Sequence, residues 1–364
     1  MRLPCRIIAE AGVNHDGDVD RALELVDIAA KAGADYVKFQ TFHAEALSSP
    51  KAELAGYQAR NTSGSWESQL DMLKRLQLSR DAHVALMDSC RAQGIGFLST
   101  PFDHESLSFL TDDLGLQQIK LGSGELTNAP LLYAAARSGA EIILSTGMGT
   151  LAEVEAALGV LAYGMSGGAQ PGQDAFAEAY RTPAIRSVLA ERVTLLHCTT
   201  EYPAPVDETN LHAMATLSQA FGLPVGYSDH TEGLAVSFAS VAMGARILEK
   251  HFTHDRNAAG PDHAASLSPQ ALQELVAGIR DVEAALGDGV KQPGKAEFEN
   301  RTVARKSLLA TRDLPHGHRL GVTDVVAMRP GTGLSPMAYW DVIGATLDGP
   351  VAKGDLIRVG SVHD

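Results

Sequence analysis

Residues able to do chemistry recur at the ends of short apolar runs along this chain. Glu10, Asn14 and His15 close one run, Lys38 and Gln40 a second, and Ser99 and Thr100 a third. Lys120, Ser123 and Glu125 follow a fourth, Ser145 and Thr146 a fifth, and His197, Thr199 and Tyr202 a sixth. Ser228, Asp229 and His230 end a seventh, and Glu249, Lys250 and His251 an eighth. Lys38, Lys120, Thr100, Ser123, Ser145 and Ser228 are donors suited to a phosphate or a carboxylate. For Lys38 alone a salt bridge to a neighbouring Glu explains as much, but two lysines with four hydroxyls favour an anion site. His230 and His251 can present two imidazoles to one divalent ion. Two are too few for a closed structural zinc site, so the reading is an open site completed by water and substrate. Manganese, iron or cobalt suit histidine with oxygen ligands, and magnesium binds such a set more weakly. Taken singly, each histidine reads better as a satisfied core residue. Glu10 and Glu125 are placed for acid–base work or for holding a lysine, and Asp262 is a third such carboxylate; spacing does not choose among them. His254 and His263 read as loop residues.

The elements that must position these groups follow from the pattern between them. The runs cover residues 6–12, 35–40, 95–100, 118–123, 141–146, 193–199, 224–230 and 246–252. Most are continuous aliphatic stretches, as in parallel strands buried on both faces. Helical periodicity fills the gaps. Ala22, Leu25, Val26, Ala29 and Ala30 precede a stop at Gly33, and Leu272, Leu275, Val276, Ile279, Val282 and Leu286 follow the start signal Ser268-Pro269. Eight such units in residues 1–286 predict an α/β fold, a closed (β/α)8 TIM barrel whose chemistry sits at the C-terminal strand ends. A doubly wound sheet is the alternative, but no Gly-x-Gly-x-x-Gly follows the first strand. Two insertions interrupt the alternation: residues 44–71 on the active-site side and residues 163–182, read as a surface excursion.

Composition narrows the classes. The chain has 364 residues, 45% hydrophobic and 20% charged, with 30 Lys and Arg against 44 Asp and Glu. A net charge of -14 argues against nucleic acid and anionic membrane as main partners. A mean hydropathy of -0.04 without a long apolar run predicts no transmembrane helix, and residues 1–12 do not read as a secretory signal. Cys5, Cys90 and Cys198 are an odd, scattered set, which predicts a cytoplasmic protein without disulfides or a zinc ribbon. Residues 287–300 are polar and bear Gly and Pro, and read as a linker. Residues 301–364 carry eight basic and six acidic residues and read as a small strand-rich module.

The strings themselves resemble the sialic acid synthase family. They include residues 9–15 (Ala-Glu-Ala-Gly-Val-Asn-His), 37–41 (Val-Lys-Phe-Gln-Thr), 99–102 (Ser-Thr-Pro-Phe), 120–125 (Lys-Leu-Gly-Ser-Gly-Glu) and 144–148 (Leu-Ser-Thr-Gly-Met). The series continues through 197–203, 226–231, 249–253 and 260–263, and in the tail through 304–308 and 328–331. The resemblance implies a barrel followed by a C-terminal SAF (antifreeze-like, β-clip type) domain, in a domain-swapped homodimer. It implies a transferase condensing phosphoenolpyruvate with an N-acylated mannosamine-type sugar, with C–O cleavage and phosphate release. The cofactor it implies is manganese on His230 and His251, with magnesium or cobalt as alternatives. Phosphoenolpyruvate contacts carry over to Lys38, Thr100, Lys120, Ser123, Ser145 and Ser228. Sugar contacts carry over to Gln40, Tyr202, Asp262 and, from a second copy, Arg329; Glu10 and Glu125 match acid–base or positioning residues. The strings at 9–15 and 199–205 lean toward bacterial legionaminic acid synthases rather than N-acetylneuraminate synthases. Rival readings are a metal-dependent aldolase or sugar isomerase on the same barrel, and a non-catalytic carbohydrate- or ice-binding protein.

Overall fold

Eight parallel strands alternate with helices through the first of two compact units, residues 1–288, and the second comprises residues 289–364. The computed structural model describes residues 4–49, 51–54, 56, 58 and 68–359. The strands are β1 (Arg6–Gly12), β2 (Tyr36–Thr41), β3 (Gly96–Pro101), β4 (Gln118–Leu121), β5 (Glu141–Ser145), β6 (Val193–Cys198), β7 (Val225–Asp229) and β8 (Ile247–His251). Their order in the sheet is β3-β2-β1-β8-β7-β6-β5-β4, and β3 and β4 lie alongside each other without ladder pairing. The fold is thus a nearly closed (β/α)8 barrel. Each strand starts and stops within one residue of its run, except that β4 ends at Leu121, two residues early, and Ser123–Glu125 form a 3-10 turn.

Alternation along each strand builds two layers of core. Ile8, Leu98, Ile143, Leu196 and Ile247 pack together inside the barrel. Their neighbours, among them Ile7, Ala9, Val37, Phe39, Leu144, Leu195 and Leu248, pack outward with the helices. Because the side-chain period is two, the residues two positions beyond the inner layer are Glu10, Thr100, Ser145, Cys198 and Glu249, all aimed at the C-terminal mouth.

The helices form where their caps indicate. Val19–Ala32 starts at Asp18, whose side chain accepts from the Arg21 N–H, and stops at left-handed Gly33; it buries Ala22, Leu25, Val26 and Ala29. Pro269–Leu286 starts at Ser268 with proline in its first turn and buries Leu272, Leu275, Val276 and Ile279, while Leu286, the last of the apolar stripe, is exposed. In the insertion after β2, Ala44–Leu47 and Gln69–Leu76 are helical and share a satellite core of Val13, Phe42, Ala44, Met72, Leu73 and Leu76. Residues 50, 55, 57 and 59–67 of that insertion lie outside the described residues. In the 163–182 excursion, Gln173–Arg181 forms a helix that packs on Leu151–Met165.

The second unit holds helix Lys295–Ala304 and an antiparallel pair, β9 (Ser307–Ala310) and β10 (Val325–Met328). The stretch read as a linker therefore contains helix from Lys295 onward. Lys, Ala and Glu are good helix formers, and Glu297 accepts from the Gly294 N–H to cap the start. A core of Leu308, Ala310, Leu314, Leu320, Val325, Val342, Leu347 and Ile357 holds the unit together. Asp324 ties its loops, accepting from His318, Arg312 and the Gly321 N–H. Residues 360–364 lie outside the described residues. Among the described residues no helix is long and apolar enough to cross a membrane.

Candidate active site

The barrel mouth opens into a cavity of about 450 Å³. Glu10, Lys38, Gln40, Thr100, Lys120, Ser123, Glu125, Ser145, Tyr202, Ser228, His230, His251 and Asp262 all line it. Arg329 belongs to the second unit, where its Nε donates to the Ala304 carbonyl at 3.1 Å.

Strand register brings the charged groups together. Glu10 pairs with Lys38 on β2 and with His251 on β8, and Ser228 on β7 pairs with Glu249. Lys38 Nζ lies 2.6 Å from Glu10 Oε2, 3.7 Å from Glu249 Oε2 and 3.1 Å from Thr100 Oγ1. Lys120 Nζ lies 3.3 Å from Glu249 Oε1, which also accepts from Ser228 Oγ at 2.8 Å. The salt-bridge reading of Lys38 is thus realised, and inside the cavity. Burial disfavours the Lys38 charge, but Glu10 and Glu249 outweigh it and hold the ammonium protonated.

Glycine makes room at two points. Gly12, with φ +54°, carries an irregularity in the β1–β2 register, and a side chain there would crowd Glu10 and His251. Gly147 donates its N–H to Ser123 Oγ at 3.0 Å, and a Cβ there would stand 2.4 Å from Thr200 Oγ1.

His230 and His251 sit with ring centroids 5.7 Å apart, and Tyr202 covers both, 4.2 Å from His230 and edge-on to His251. His230 Nδ1 bonds the Thr199 carbonyl at 2.6 Å, which makes Nδ1 the donor and leaves Nε2 as the lone-pair nitrogen. Burial drives His230 down to about 4 and His251 well below its ordinary value, so both rings are neutral. His251 Nδ1 is buried without a hydrogen-bond partner among the described residues and stands 3.9 Å from Asp262 Oδ2. Neutral rings, one with an orphaned nitrogen, fit a divalent metal. Among the described residues no group of three or more His, Cys, Asp or Glu is arranged to hold one.

The carboxylates differ by environment. Burial raises Glu10 to about 7 and Asp262 to about 6, and it also raises Glu125, against a hydrogen bond from Asn128. For Glu249, burial is outweighed by Lys120, Lys38 and the Ser228 hydroxyl, and the carboxyl is held well below the usual range. Ser145 Oγ is buried and, like His251 Nδ1, lacks a hydrogen-bond partner among the described residues.

Several strand-end groups point elsewhere, for the same period of two. Asp229 and Lys250 form a buried pair at 2.8 Å, Ser99 bonds Thr41, Thr146 bonds the Leu196 carbonyl, and His197 bonds the Thr209 carbonyl. Asn14 ties the Phe252 carbonyl to Ser266. His263 is buried and bonds Thr253 and Asp16. The convergence expected of every strand-end polar residue therefore holds only for the inward-facing set.

Cys198 lines the cavity without having been singled out from the sequence, and so does Glu249, which stands among the strand-end residues there but has no role assigned. The signal for Glu249 was present: it lies two residues before His251 and so shares its face. Cys198, whose Sγ lies 3.1 Å from Ser123 Oγ, is two beyond the inner-layer Leu196.

Residues 25–291 match the NeuB family, and residues 305–360 match the SAF domain. The chain is 46% identical to the N,N'-diacetyllegionaminic acid synthase of Campylobacter jejuni, over 97% of this chain and 98% of the relative. It is 42% identical to the protein of the same name from Legionella pneumophila, over 97% and 93%. Among solved structures it is similar to an N-acetylneuraminic acid (sialic acid) synthetase from Leptospira borgpetersenii in complex with citrate. That match has a TM-score of 0.65 at 32% identity and covers 82% of this chain and 90% of the other.

Proposed function

The chain belongs to the NeuB family, with an SAF domain after its barrel, and we propose that it is a phosphoenolpyruvate-dependent nonulosonic acid synthase whose acceptor is 2,4-diacetamido-2,4,6-trideoxymannose, giving N,N'-diacetyllegionaminic acid. The observation that carries this reading is that Lys38, Lys120, Thr100, Ser123, Ser145 and Ser228 line one cavity together with a histidine pair that burial keeps neutral. An aldolase or isomerase acting on a non-phosphorylated sugar needs no such cluster of donors to phosphate.

His230 and His251 would hold the metal, with manganese favoured and magnesium or cobalt as alternatives. When bound, it supplies Lewis-acid polarisation of the sugar aldehyde. The chain's own groups do the rest. Lys38, Lys120 and the hydroxyls of Thr100, Ser123, Ser145 and Ser228 hold the phosphate. C3 of phosphoenolpyruvate forms the new bond to sugar C1, and C2 becomes electron-poor. Glu10, raised to about 7, is suited to deliver a proton to the aldehyde oxygen or to take one from the water that adds at C2. Glu125, also raised by burial, is the second candidate. The C2–O bond then breaks and inorganic phosphate leaves. Gln40, Tyr202 and Asp262 contact the sugar, and Arg329 reaches it from the second copy of a domain-swapped homodimer. The three free, buried cysteines suit the cytoplasm.

The test is phosphate release from phosphoenolpyruvate with a panel of acceptors. The diacetamido trideoxy sugar should give a higher kcat/KM than N-acetylmannosamine. The reverse order would make the enzyme an N-acetylneuraminate synthase, and release with neither would overturn both assignments.

A further inference from the structure

Among the residues that line the catalytic cavity, Leu47, Leu73 and Phe102 are apolar side chains that share one cluster on the β2–β3 side. They come from separate elements. Leu47 ends the short helix Ala44–Leu47, Leu73 lies in Gln69–Leu76, and Phe102 directly follows β3. Leu73 is buried, while Leu47 and Phe102 are partly buried against the same core, so the wall is backed by packed side chains. Gln69 stands on this side too, anchored through its Oε1 by the Ser48 hydroxyl at 2.8 Å. A carboxamide held by its oxygen offers N–H groups to a ligand carbonyl.

We infer that this wall is the selectivity filter for the far end of the acceptor, with Leu47, Leu73 and Phe102 receiving a C6 methyl and Gln69 the C4 acetamido carbonyl. The inference rests on the proposed nonulosonic acid synthase reading and deepens it. The reacting aldehyde belongs at the histidine pair, so C4 to C6 extend toward the rim of the cavity. A sugar with a hydroxymethyl at C6 would set a hydroxyl against three hydrocarbon side chains, and desolvating an unpaired hydroxyl is costly. A methyl meets no such penalty and gains apolar contact. Discrimination of this kind between a methyl and a hydroxylated analogue is roughly 10- to 100-fold.

The experiment uses the full chain and two acceptors that differ only at C6: 2,4-diacetamido-2,4,6-trideoxymannose and its 6-hydroxy counterpart. The ratio of their kcat/KM values is read from phosphate release. Wild type should favour the methyl by roughly 10-fold or more, and Leu47→Gln and Leu73→Asn should each bring the ratio close to unity. Leu73→Met should keep the wild-type ratio. Leu47 is only partly buried, so Leu47→Gln keeps the test valid if Leu73→Asn does not fold. Variants that lose both acceptors in equal proportion, or that retain the wild-type ratio, would overturn the wall as a filter even where the panel above upholds the acceptor class. A wild type without preference at C6 would overturn it as well. Failure of the acceptor class itself appears separately, as a preference for N-acetylmannosamine in that panel.

Discussion

Glu10 and Glu249, on the adjacent strands β1 and β8, flank one ammonium group and ionise in opposite directions. Lys38 Nζ is 2.6 Å from Glu10 and 3.7 Å from Glu249. Glu249 has Lys120 and the Ser228 hydroxyl as well, and stays ionised. Glu10 shares a single lysine, is desolvated and faces the Glu249 charge, so it rises to about 7. One carboxylate thus serves as a fixed counter-ion, and the other can exchange a proton near neutral pH.

Replacing the fixed counter-ion should be costly in a pH-dependent way. A carboxyl held below its unfolded value contributes stability above that value, and the contribution is lost as pH falls through the folded one. Glu249→Gln leaves Lys38 and Lys120 buried with less compensation, so a loss of about 3–5 kcal/mol is expected at pH 7. The gap to wild type in denaturant unfolding should narrow as pH drops from the ordinary carboxyl value of 4.5 toward about 2. A gap that is constant over that window would show that Glu249 is not held ionised.

The lysines should separate the two substrates. Lys38→Met or Lys120→Met should raise KM for phosphoenolpyruvate ~10- to 100-fold, as expected for loss of a charged hydrogen bond, with a much smaller change in KM for the sugar. Steady-state kinetics with each substrate varied in turn is the check. Equal damage to both would mean that the lysines organise the mouth rather than grip phosphate.

Metal should be required, and its binding should be measurable without turnover. Chelator-treated protein should lose activity and regain it best with manganese. Calorimetric titration should show that His230→Ala and His251→Ala weaken binding while the thermal transition stays near that of wild type, because the open site is not structural. Undiminished manganese affinity in the double variant would remove these histidines as ligands.

Arg329 should act on the barrel of a second copy. Arg329→Ala should bind metal and dimerise but be nearly inactive, and Lys120→Met should be nearly inactive when assayed at phosphoenolpyruvate far below its raised KM. After subunit exchange, a mixed dimer holds one intact barrel that can receive one intact Arg329, and activity should return. If Arg329 served its own barrel, each subunit would carry a defect and mixing would restore nothing.

The strands, the capped helices Val19–Ala32 and Pro269–Leu286, and the lining of the cavity were legible in the sequence, because each depends on local spacing. An aliphatic run bounded by turns specifies a strand, and eight such runs leave polar residues at one mouth. The period of two separates neighbours on one strand: it puts Glu249 and Cys198 in the site and turns Lys250 and Asp229 away from it. Other features could not be read from spacing. Sequence separation does not say that Glu10 stands opposite both Lys38 and His251, since that register appears only when β1 pairs with β2 on one side and β8 on the other. The ionisation of Glu10 and Glu249 depends on distances of a few ångströms and on exclusion of water, neither of which chain separation fixes. Leu47, Leu73 and Phe102 likewise come from three elements and become one surface only when the insertion after β2 packs beside β3. The sequence determined which groups reach the mouth, and the tertiary structure decided their partners, because electrostatics and packing act through space rather than along the chain.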